Sequence, residues 1–379
     1  MNVMRALTKF LSVFLSLLLG WTPFYKESAV QGELDREEQI RYVSMLEELY
    51  ESGEAEKCDD SEFFLGNLDE ALASGVKFNE MAFIGTHNSY QTPSVSSVQN
   101  LFGTLDKITL GLAIGDDSGK LNSPKLTEQL NCGIRNLEID IEASYDENGY
   151  SFNCFHVPML DMTTNSYDLS LALKEIKMWS DYNPDHLPVT IIIEPKKAFA
   201  PMENMEYFSL ESAKALDSLL RLTLGDSLFT PADMLKDYEN FAQLRSADGW
   251  ADVSSMLGKV IVLLHETSVT EDYIKIDKSI KSQAMFPMLR PDDVNRDCAS
   301  FIIMNDAKKY SDNIEKAVED GFIVRVRADL NSEINEAQAN AALSSKAQLI
   351  ATDYPVYNGL NRDGFVSFDE NKMIKTINK

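Results

Sequence analysis

Six polar residues of this chain lie within or directly after short apolar runs, in places where a buried strand would otherwise be apolar. They are two histidines, three carboxylates and one amide: His87, His156, Glu138, Asp140, Glu194 and Asn88. Burying a charge is costly unless it is paired, so each of these positions needs a reason. Histidine exchanges protons near neutral pH, whereas carboxylate and amide oxygens bind hard divalent ions. The set therefore indicates proton transfer beside a metal ion.

The run "NLEIDIE" places two of these carboxylates on one face of a strand. Residues two apart in a strand point the same way, so Glu138 and Asp140 point together, opposite Ile139 and Ile141. Two neighbouring carboxylates inside a fold cannot both stay charged cheaply without a cation. Calcium is favoured over magnesium because it tolerates irregular coordination.

Each residue also has an ordinary structural interpretation. Glu138 and Asp140 could form a solvated strand face, and a lone His87 or His156 could be a satisfied core or capping residue. His186, a histidine outside this set that lies in the turn-rich stretch "NPDHLPV", is interpreted as structural. The functional interpretation is favoured because all six residues of the set fall at strand ends together.

The elements that must position this set alternate along the chain. Eight mostly apolar runs predict strands near residues 81–86, 136–142, 151–156, 189–194, 259–265, 300–305, 322–327 and 347–352. Helical patterns are predicted at 167–179, 206–222, 307–320 and 334–344. This alternation predicts the α/β class and an irregular (β/α)8 TIM-type barrel, with the active site at the carboxyl ends of its strands. Five further strand-end residues are candidate substrate contacts: Lys196, His265, Arg325, Arg327 and Asp353.

Composition restricts the class of partner. The chain has 379 residues and a formal charge of −25, and it has no basic stripe that could displace counterions from nucleic acid. The same charge argues against docking on anionic membranes through a polybasic patch. An acidic protein that handles an anionic substrate needs a few basic groups or a metal ion. We expect no nucleic-acid partner, no protein partner and a monomer.

The N-terminus is typical of a secretory leader. Arg5 and Lys9 precede an apolar run from Phe10 to Trp21, which is shorter than the roughly 20 residues of a membrane span. Cleavage is expected near residues 29–32, and an uncleaved membrane anchor is the alternative. The predicted divisions are a leader at 1–31, an acidic helical segment at 32–75, the barrel at 76–362 and a C-terminal tail at 363–379.

The cysteine content agrees with a secreted or extracytoplasmic protein without requiring one. An even number of cysteines is compatible with disulfides outside the cytoplasm, and buried free thiols are equally compatible. The four are Cys58, Cys132, Cys154 and Cys298.

Several motifs together resemble one enzyme superfamily. The chain contains, in order, "GTHNSY", "QLNCGIRNLEIDI", "CFHVP", "PVTIIIEPK", "GKVIVLLHE", "IVRVRADL" and "AQLIATDYP". Their order and spacing resemble the phosphoinositide-specific phospholipase C superfamily, and more closely the secreted, calcium-dependent phosphatidylinositol phospholipase C branch of bacteria and fungi. The resemblance runs from about residue 76 to residue 360.

The resemblance implies roles for the six residues. It implies that His87 and His156 are catalytic, and that calcium is bound by Asn88, Glu138, Asp140 and Glu194. In the implied reaction an inositol hydroxyl attacks the phosphorus of phosphatidylinositol, or of a related inositol phosphodiester at a membrane surface, and diacylglycerol leaves. We expect His156 to be the general acid and His87 to stabilise the phosphorane, with Glu138 or Glu194 as the base.

Two features bear on specificity and on alternatives. Relatives that prefer phosphorylated headgroups carry lysines after the fifth strand, whereas this chain has "LLHETS" there, which favours the unphosphorylated lipid. One alternative is a glycerophosphodiester phosphodiesterase-like enzyme, although "THNSY" does not fit the "HRG" type of opening motif. The other is a catalytically inactive inositol-lipid-binding barrel, which would be expected to have lost one of the six residues.

Overall fold

A computed structural model describes residues 23–100, 119–157, 161–196, 204–330, 335–360 and 364–377. Most of the predicted leader, residues 1–22, lies outside the described part. The strands of the described part are β1 Phe64–Leu65, β2 Met81–Thr86, β3 Asn136–Asp146, β4 Gly149–Asn153, β5 Val189–Pro195, β6 Met205–Glu206, β7 Val260–Leu264, β8 Phe286–Leu289, β9 Phe301–Asp306, β10 Ile323–Arg327, β11 Leu349–Thr352 and β12 Ile374–Thr376.

The α-helices of the same ranges are α1 Pro23–Ser52, α2 Leu68–Ala73, α3 Leu126–Asn131, α4 Leu169–Tyr182, α5 Leu210–Leu224, α6 Pro231–Leu235, α7 Phe241–Ser246, α8 Thr270–Ile276, α9 Ser311–Glu319 and α10 Glu336–Ser344. Each of the four predicted helical regions overlaps one of these helices, namely α4, α5, α9 and α10, and α4 and α5 end two or three residues later than predicted. Among the described helices, none has the length and apolar content that a bilayer span requires.

Eight parallel strands of the described chain form a closed barrel. They follow the order β2, β3, β5, β7, β8, β9, β10 and β11, and β11 pairs with β2. The ring is closed where Thr86 of β2 lies beside Leu137 of β3. Strands such as β7, "VIVLL", are buried at every residue, as expected for parallel strands covered by helices on one face and packed core on the other. The predicted α/β TIM-type barrel is confirmed.

One of the eight predicted strands is not part of the barrel. Residues Gly149–Asn153 instead form β4, which pairs antiparallel with the outer end of β3. A turn at residues 147–148 supplies the reversal, with Asn148 N donating to the Asp146 carboxylate at 2.7 Å. The missing barrel strand is β8, Phe286–Leu289, which pairs with β7 and β9. Its Pro287 lacks a backbone N–H, and a proline within a run argues against a central strand.

The segments outside the predicted barrel also extend its wall. Phe64–Leu65 pairs parallel with β12, and β12 pairs antiparallel with β2. Helix α1 packs along α4, and Gln39 exchanges two hydrogen bonds of 2.8 and 3.0 Å with the backbone of Asp168 at the start of α4. Both the acidic segment and the C-terminal tail are therefore joined to the barrel by strand pairing or buried contacts.

Helix α1 includes residues of the predicted leader. It begins at Pro23 within the described chain, and Ser28 is fully buried, its hydroxyl accepting a hydrogen bond of 3.1 Å from Met162 N. The four cysteines, all within the described residues, form no disulfide; Cys132, Cys154 and Cys298 are buried and Cys58 is half-buried.

A glycine fixes the closure of the barrel next to His87. A Cβ atom at Gly85 would lie 2.3 Å from the carbonyl oxygen of Asn136, so only glycine allows β2 and β3 to approach this closely. His87 and Asn88 follow directly after this close approach, beyond the end of β2 at Thr86.

Candidate active site

The end of β2 is shaped by an abrupt turn at Asn88. Asn88 adopts a left-handed backbone conformation with φ of 50°, which asparagine tolerates better than most residues. The turn is held against β3 because Ser89 N donates to the Glu138 carbonyl at 2.8 Å. The Asn88 Nδ2 atom donates to Gln91 Oε1 at 3.2 Å, whereas the buried Oδ1 atom has no hydrogen-bond partner among the described residues. The Asn88 side chain therefore offers a free oxygen to the barrel interior.

The three predicted carboxylates meet beside this turn. Glu138 and Asp140 project from β3, and Glu194 lies opposite Asp140 in the register of β5. One oxygen from each residue lies within 4.8 Å of the others. Glu138 and Asp140 are fully buried, and Glu194 is partly exposed. The predicted alternation on β3 thus brings Glu138 and Asp140 to the interior together.

Two cations pair with the carboxylates. Lys196 Nζ lies 2.9 Å from both Asp140 Oδ2 and Glu194 Oε1. The buried Arg325 guanidinium donates to Glu138 Oε2 and to Asn305 Oδ1. Arg325 therefore holds the Glu138 carboxylate from the barrel interior.

The charges of these residues are strongly perturbed by burial and by one another. Burial raises the pKa of Asp140 to about 6, against the opposing charge of Lys196. Burial also disfavours the ionised Glu194, but Lys196 and His265 outweigh it and lower the pKa of that carboxyl to about 2. Burial also favours the neutral form of Glu138, but the charge of Arg325 outweighs this effect and lowers the pKa of Glu138. The cluster is therefore stable only with compensating positive charge.

The donor set fits a calcium ion. Within the described part of the chain, Asn88 Oδ1 and Asp140 Oδ1 are buried oxygens without hydrogen-bond partners, an arrangement that is costly unless another group satisfies them. Together with Glu138 and Glu194 they form an all-oxygen, net negative set, as calcium prefers. Lys196, with its two 2.9 Å contacts to Asp140 and Glu194, supplies positive charge at the same place.

His87 lies between the side chains of Asp353 and Arg327. Its Nδ1 atom is 2.6 Å from Asp353 Oδ1, and its Nε2 atom is 3.1 Å from Arg327 Nη1. A guanidinium can only donate and a carboxylate accepts, so His87 carries its proton on Nδ1 and accepts through Nε2. Burial, and then the charge of Arg327, hold the pKa of His87 well below its usual value. His87 is therefore a neutral imidazole whose orientation is fixed by Asp353.

His156 lies in the loop after β4, which is not a barrel strand. Its Nδ1 atom is 3.4 Å from Asp161 Oδ2. Asp161 is fully buried and is held by Ser94 Oγ and by Gln91 Nε2, the latter at 3.1 Å. Burial opposes protonation, but contact with Asp161 outweighs it and raises the pKa of His156. His156 is thus suited to carry a proton to a leaving group.

The five tentative substrate contacts occupy different positions. Lys196 and Arg325 pair with the carboxylates, and Arg327 bridges Asp353 and Asp329 at 3.0 and 2.8 Å. The Asp353 side chain has no exposed surface and faces His87, which favours an orienting role over direct contact with substrate. His265 follows β7, is half-buried and lies close enough to Glu194 to affect its pKa.

Three residues that contact the site were not singled out from the sequence. Tyr90 donates to Asp140 Oδ2 at 2.7 Å, Asp161 supports His156, and Asp329 accepts from Arg327. Tyr90 and Asp329 lie in the motifs "THNSY" and "RVRAD". For Asp161 the only signal was its position five residues after His156.

Comparison with known proteins assigns the chain to an enzyme class. Residues 148–377 match the family described as "Phosphoinositide phospholipase C, Ca2+-dependent", which is more than half of the chain. The chain therefore belongs to this family of phosphodiesterases, and the predicted enzyme class and calcium dependence are confirmed. The matched range includes His156 and Glu194 but begins after the other four residues of the set.

Solved structures share the same fold. A calcium-dependent phosphoinositol-specific phospholipase C from Pseudomonas sp., as its myoinositol complex, is 18% identical with a TM-score of 0.52, over 80% of this chain and 96% of that chain. A calcium-dependent phosphatidylinositol-specific phospholipase C from Streptomyces antibioticus is 15% identical with a TM-score of 0.52, over 73% of this chain and 94% of that chain. No curated protein matched the sequence.

Proposed function

We propose that this chain cleaves phosphatidylinositol at the glycerol–phosphate ester, giving diacylglycerol and a cyclic inositol phosphate. The observation that carries the proposal is the oxygen cluster of Asn88, Glu138, Asp140 and Glu194, which meets the Asp353–His87 pair at Glu138, 3.8 Å from His87 Nε2. The family match supports a phospholipase over a glycerophosphodiester phosphodiesterase. The complete residue set argues against an inactive binding barrel.

His87 is the proposed proton acceptor. Its Nε2 atom is unprotonated, with Arg327 as its hydrogen-bond donor among the described residues, and Asp353 is placed to stabilise the imidazolium that forms when the inositol 2-hydroxyl loses its proton. Glu138 is held by Arg325, and both Glu138 and Glu194 are proposed calcium ligands, which makes both carboxylates poor bases. This proposal differs from the expectation from sequence, in which Glu138 or Glu194 is the base and His87 stabilises the phosphorane.

His156 is the proposed general acid. The inositol 2-oxygen forms a bond to phosphorus as the bond from phosphorus to the glycerol oxygen breaks, and His156 gives its proton to that leaving oxygen. Asp161 keeps the imidazolium of His156 available for this step. Calcium, when bound by Asn88, Glu138, Asp140 and Glu194, supplies positive charge that favours ionisation of the hydroxyl and offsets negative charge on the phosphate.

The proposed place of action is a membrane surface outside the cytoplasm, with the chain acting as a monomer whose site residues all come from one copy. Strand β3 continues beyond the barrel at its site-bearing end and pairs there with β4 and β6. Two exposed tyrosines belong to this region: Tyr145, within β3, is 49% accessible, and Tyr207, directly after β6, is 67% accessible. Tyrosine favours membrane interfaces, so this extension supports contact with lipid headgroups.

The absence of lysines in "LLHETS", at the end of β7 and directly after it, supports phosphatidylinositol over its phosphorylated forms as the substrate.

For the N-terminal leader, the burial of Ser28 supports retention of helix α1, with any cleavage before Pro23 rather than near residues 29–32.

A phosphorus NMR assay tests the reaction directly. Phosphatidylinositol in mixed micelles is incubated with the full chain, and a cyclic phosphodiester signal is expected with calcium and not in excess chelator. His87→Ala and His156→Ala are each expected to lower the rate by about 100-fold or more. As a matched control, His186→Ala removes a buried histidine outside the site. Full activity of either site variant, or in chelator, contradicts the proposal.

A further inference from the structure

Lys196 occupies the side of the carboxylate cluster that a metal ion would use. Its ammonium contacts Asp140 Oδ2 and Glu194 Oε1 at 2.9 Å each. Both residues belong to the proposed calcium site. We propose that Lys196 is an internal counter-ion that competes with calcium for these two carboxylates and thereby sets the calcium affinity of the enzyme. The proposal rests on the calcium site of the proposed function but not on catalysis.

The charge of the cluster favours exchange over joint occupancy. Three carboxylates face Arg325 and Lys196, so the cluster with both side chains in place carries one net negative charge. Calcium in the place of Lys196 would make the cluster neutral. Calcium together with both side chains would leave excess positive charge in a buried site, which is unfavourable.

The backbone of Lys196 is fixed while its side chain has an exit. Lys196 N donates to the Ile141 carbonyl at 2.9 Å, which continues the pairing of β5 with β3. The side chain is 23% exposed, so the ammonium can move toward solvent without disturbing the barrel. Asp140 cannot move as easily, because it is fully buried and Tyr90 also donates to it at 2.7 Å. The lysine is therefore the partner that leaves.

The proposed exchange has two consequences. Without calcium, Lys196 keeps two buried carboxylates paired, so the metal-free chain stays folded. With calcium, part of the metal's binding energy is used to displace Lys196, so the affinity is lower than that of the same oxygens without the lysine. The displaced ammonium then stays beside the cluster, on the segment that follows β5.

Calcium titration of the chelator-stripped full chain by calorimetry, without substrate, tests the proposal. Lys196→Met is expected to bind calcium about tenfold more tightly or better than wild type, because the competitor is gone. Lys196→Arg retains the charge and is expected to remain within about threefold of wild type. Lys174→Met removes a lysine from a surface ion pair with Glu47 and is expected to change nothing.

Thermal unfolding gives a second measurement. Lys196→Met is expected to melt below wild type in chelator, and to regain or exceed the wild-type melting temperature in saturating calcium. If the variant unfolds in chelator, the affinity is taken from calcium-loaded protein titrated with a competing chelator. Unchanged or weaker calcium binding by Lys196→Met overturns the proposal. Absence of calcium binding in both wild type and variant overturns the calcium site itself.

Discussion

At the scale of single residues, Asp353 decides which nitrogen of His87 carries the proton. Its carboxylate lies 2.6 Å from Nδ1 and leaves Nε2 as the acceptor. Asp353→Asn can present an amide N–H to Nδ1 and so favour the opposite tautomer. We expect kcat to fall by about 100-fold or more with KM changed less than about threefold.

Steady-state kinetics on micellar phosphatidylinositol check this expectation. Asp312→Asn, an acid in the first turn of α9, is the control. A wild-type kcat for Asp353→Asn would show that the acid does not orient the histidine.

Asp161 is expected to set the alkaline limit of activity. Its charge raises the pKa of His156, so wild type keeps the protonated, proton-donating form to higher pH than an isolated histidine would. Asp161→Asn removes that charge, and the pKa of His156 falls. The alkaline limb of the profile of kcat/KM against pH therefore moves to lower pH, measured at saturating calcium. A limb that stays in place or moves to higher pH contradicts the role of Asp161.

The sequence could predict the residues of the site better than their partners. Strand ends identify His87, Asn88, Glu138, Asp140 and Glu194, because parallel strands bring their carboxyl ends to one edge of a barrel. Their partners come from segments outside the barrel strands, and the spacing of residues along the chain does not specify which of these segments will contact the site. Asp161 is an example, since Ser94 and Gln91 hold its carboxylate 3.4 Å from His156 Nδ1.

At the scale of secondary structure elements, the same limit explains why the sequence predicts a barrel strand at β4 and misses the barrel strand β8. The run at 151–156 contains strand-forming residues, but a two-residue turn pairs it with β3 outside the barrel. Strand β8 is four residues long and contains Pro287, so its local pattern argues against a barrel position. Its place is determined by tertiary pairing with Leu263 and Phe301 on its two neighbours.

Helix α1 is expected to support the loop that carries His156. Ser28 accepts from Met162 N, and Ala29 packs against Phe155, Met162 and Tyr167. A chain that starts at residue 33 loses these contacts, whereas one that starts at residue 23 keeps them. We expect the shorter chain to lose about 1–3 kcal/mol of unfolding free energy.

His156 and Asp161 are chain neighbours of Phe155 and Met162, which contact α1, so the shorter chain should also lose activity. Urea unfolding and turnover of the two chains, each compared with the full chain, check this expectation. Equal stability and equal turnover would mean that residues 23–32 are dispensable to the fold.

At the scale of the whole molecule, the net charge of −25 opposes the approach to an anionic lipid surface. The screening length is roughly 30 Å at 0.01 M salt and about 8 Å at 0.15 M. We therefore expect turnover of phosphatidylinositol vesicles to rise about two- to fivefold as salt increases over this range, with calcium held saturating because salt also weakens calcium binding. A soluble inositol phosphodiester carries one charge and no surface potential, so its turnover should change less. Vesicle sedimentation and turnover measured across the salt series check this, and a fall in vesicle turnover with added salt would indicate a basic docking patch that the composition argues against.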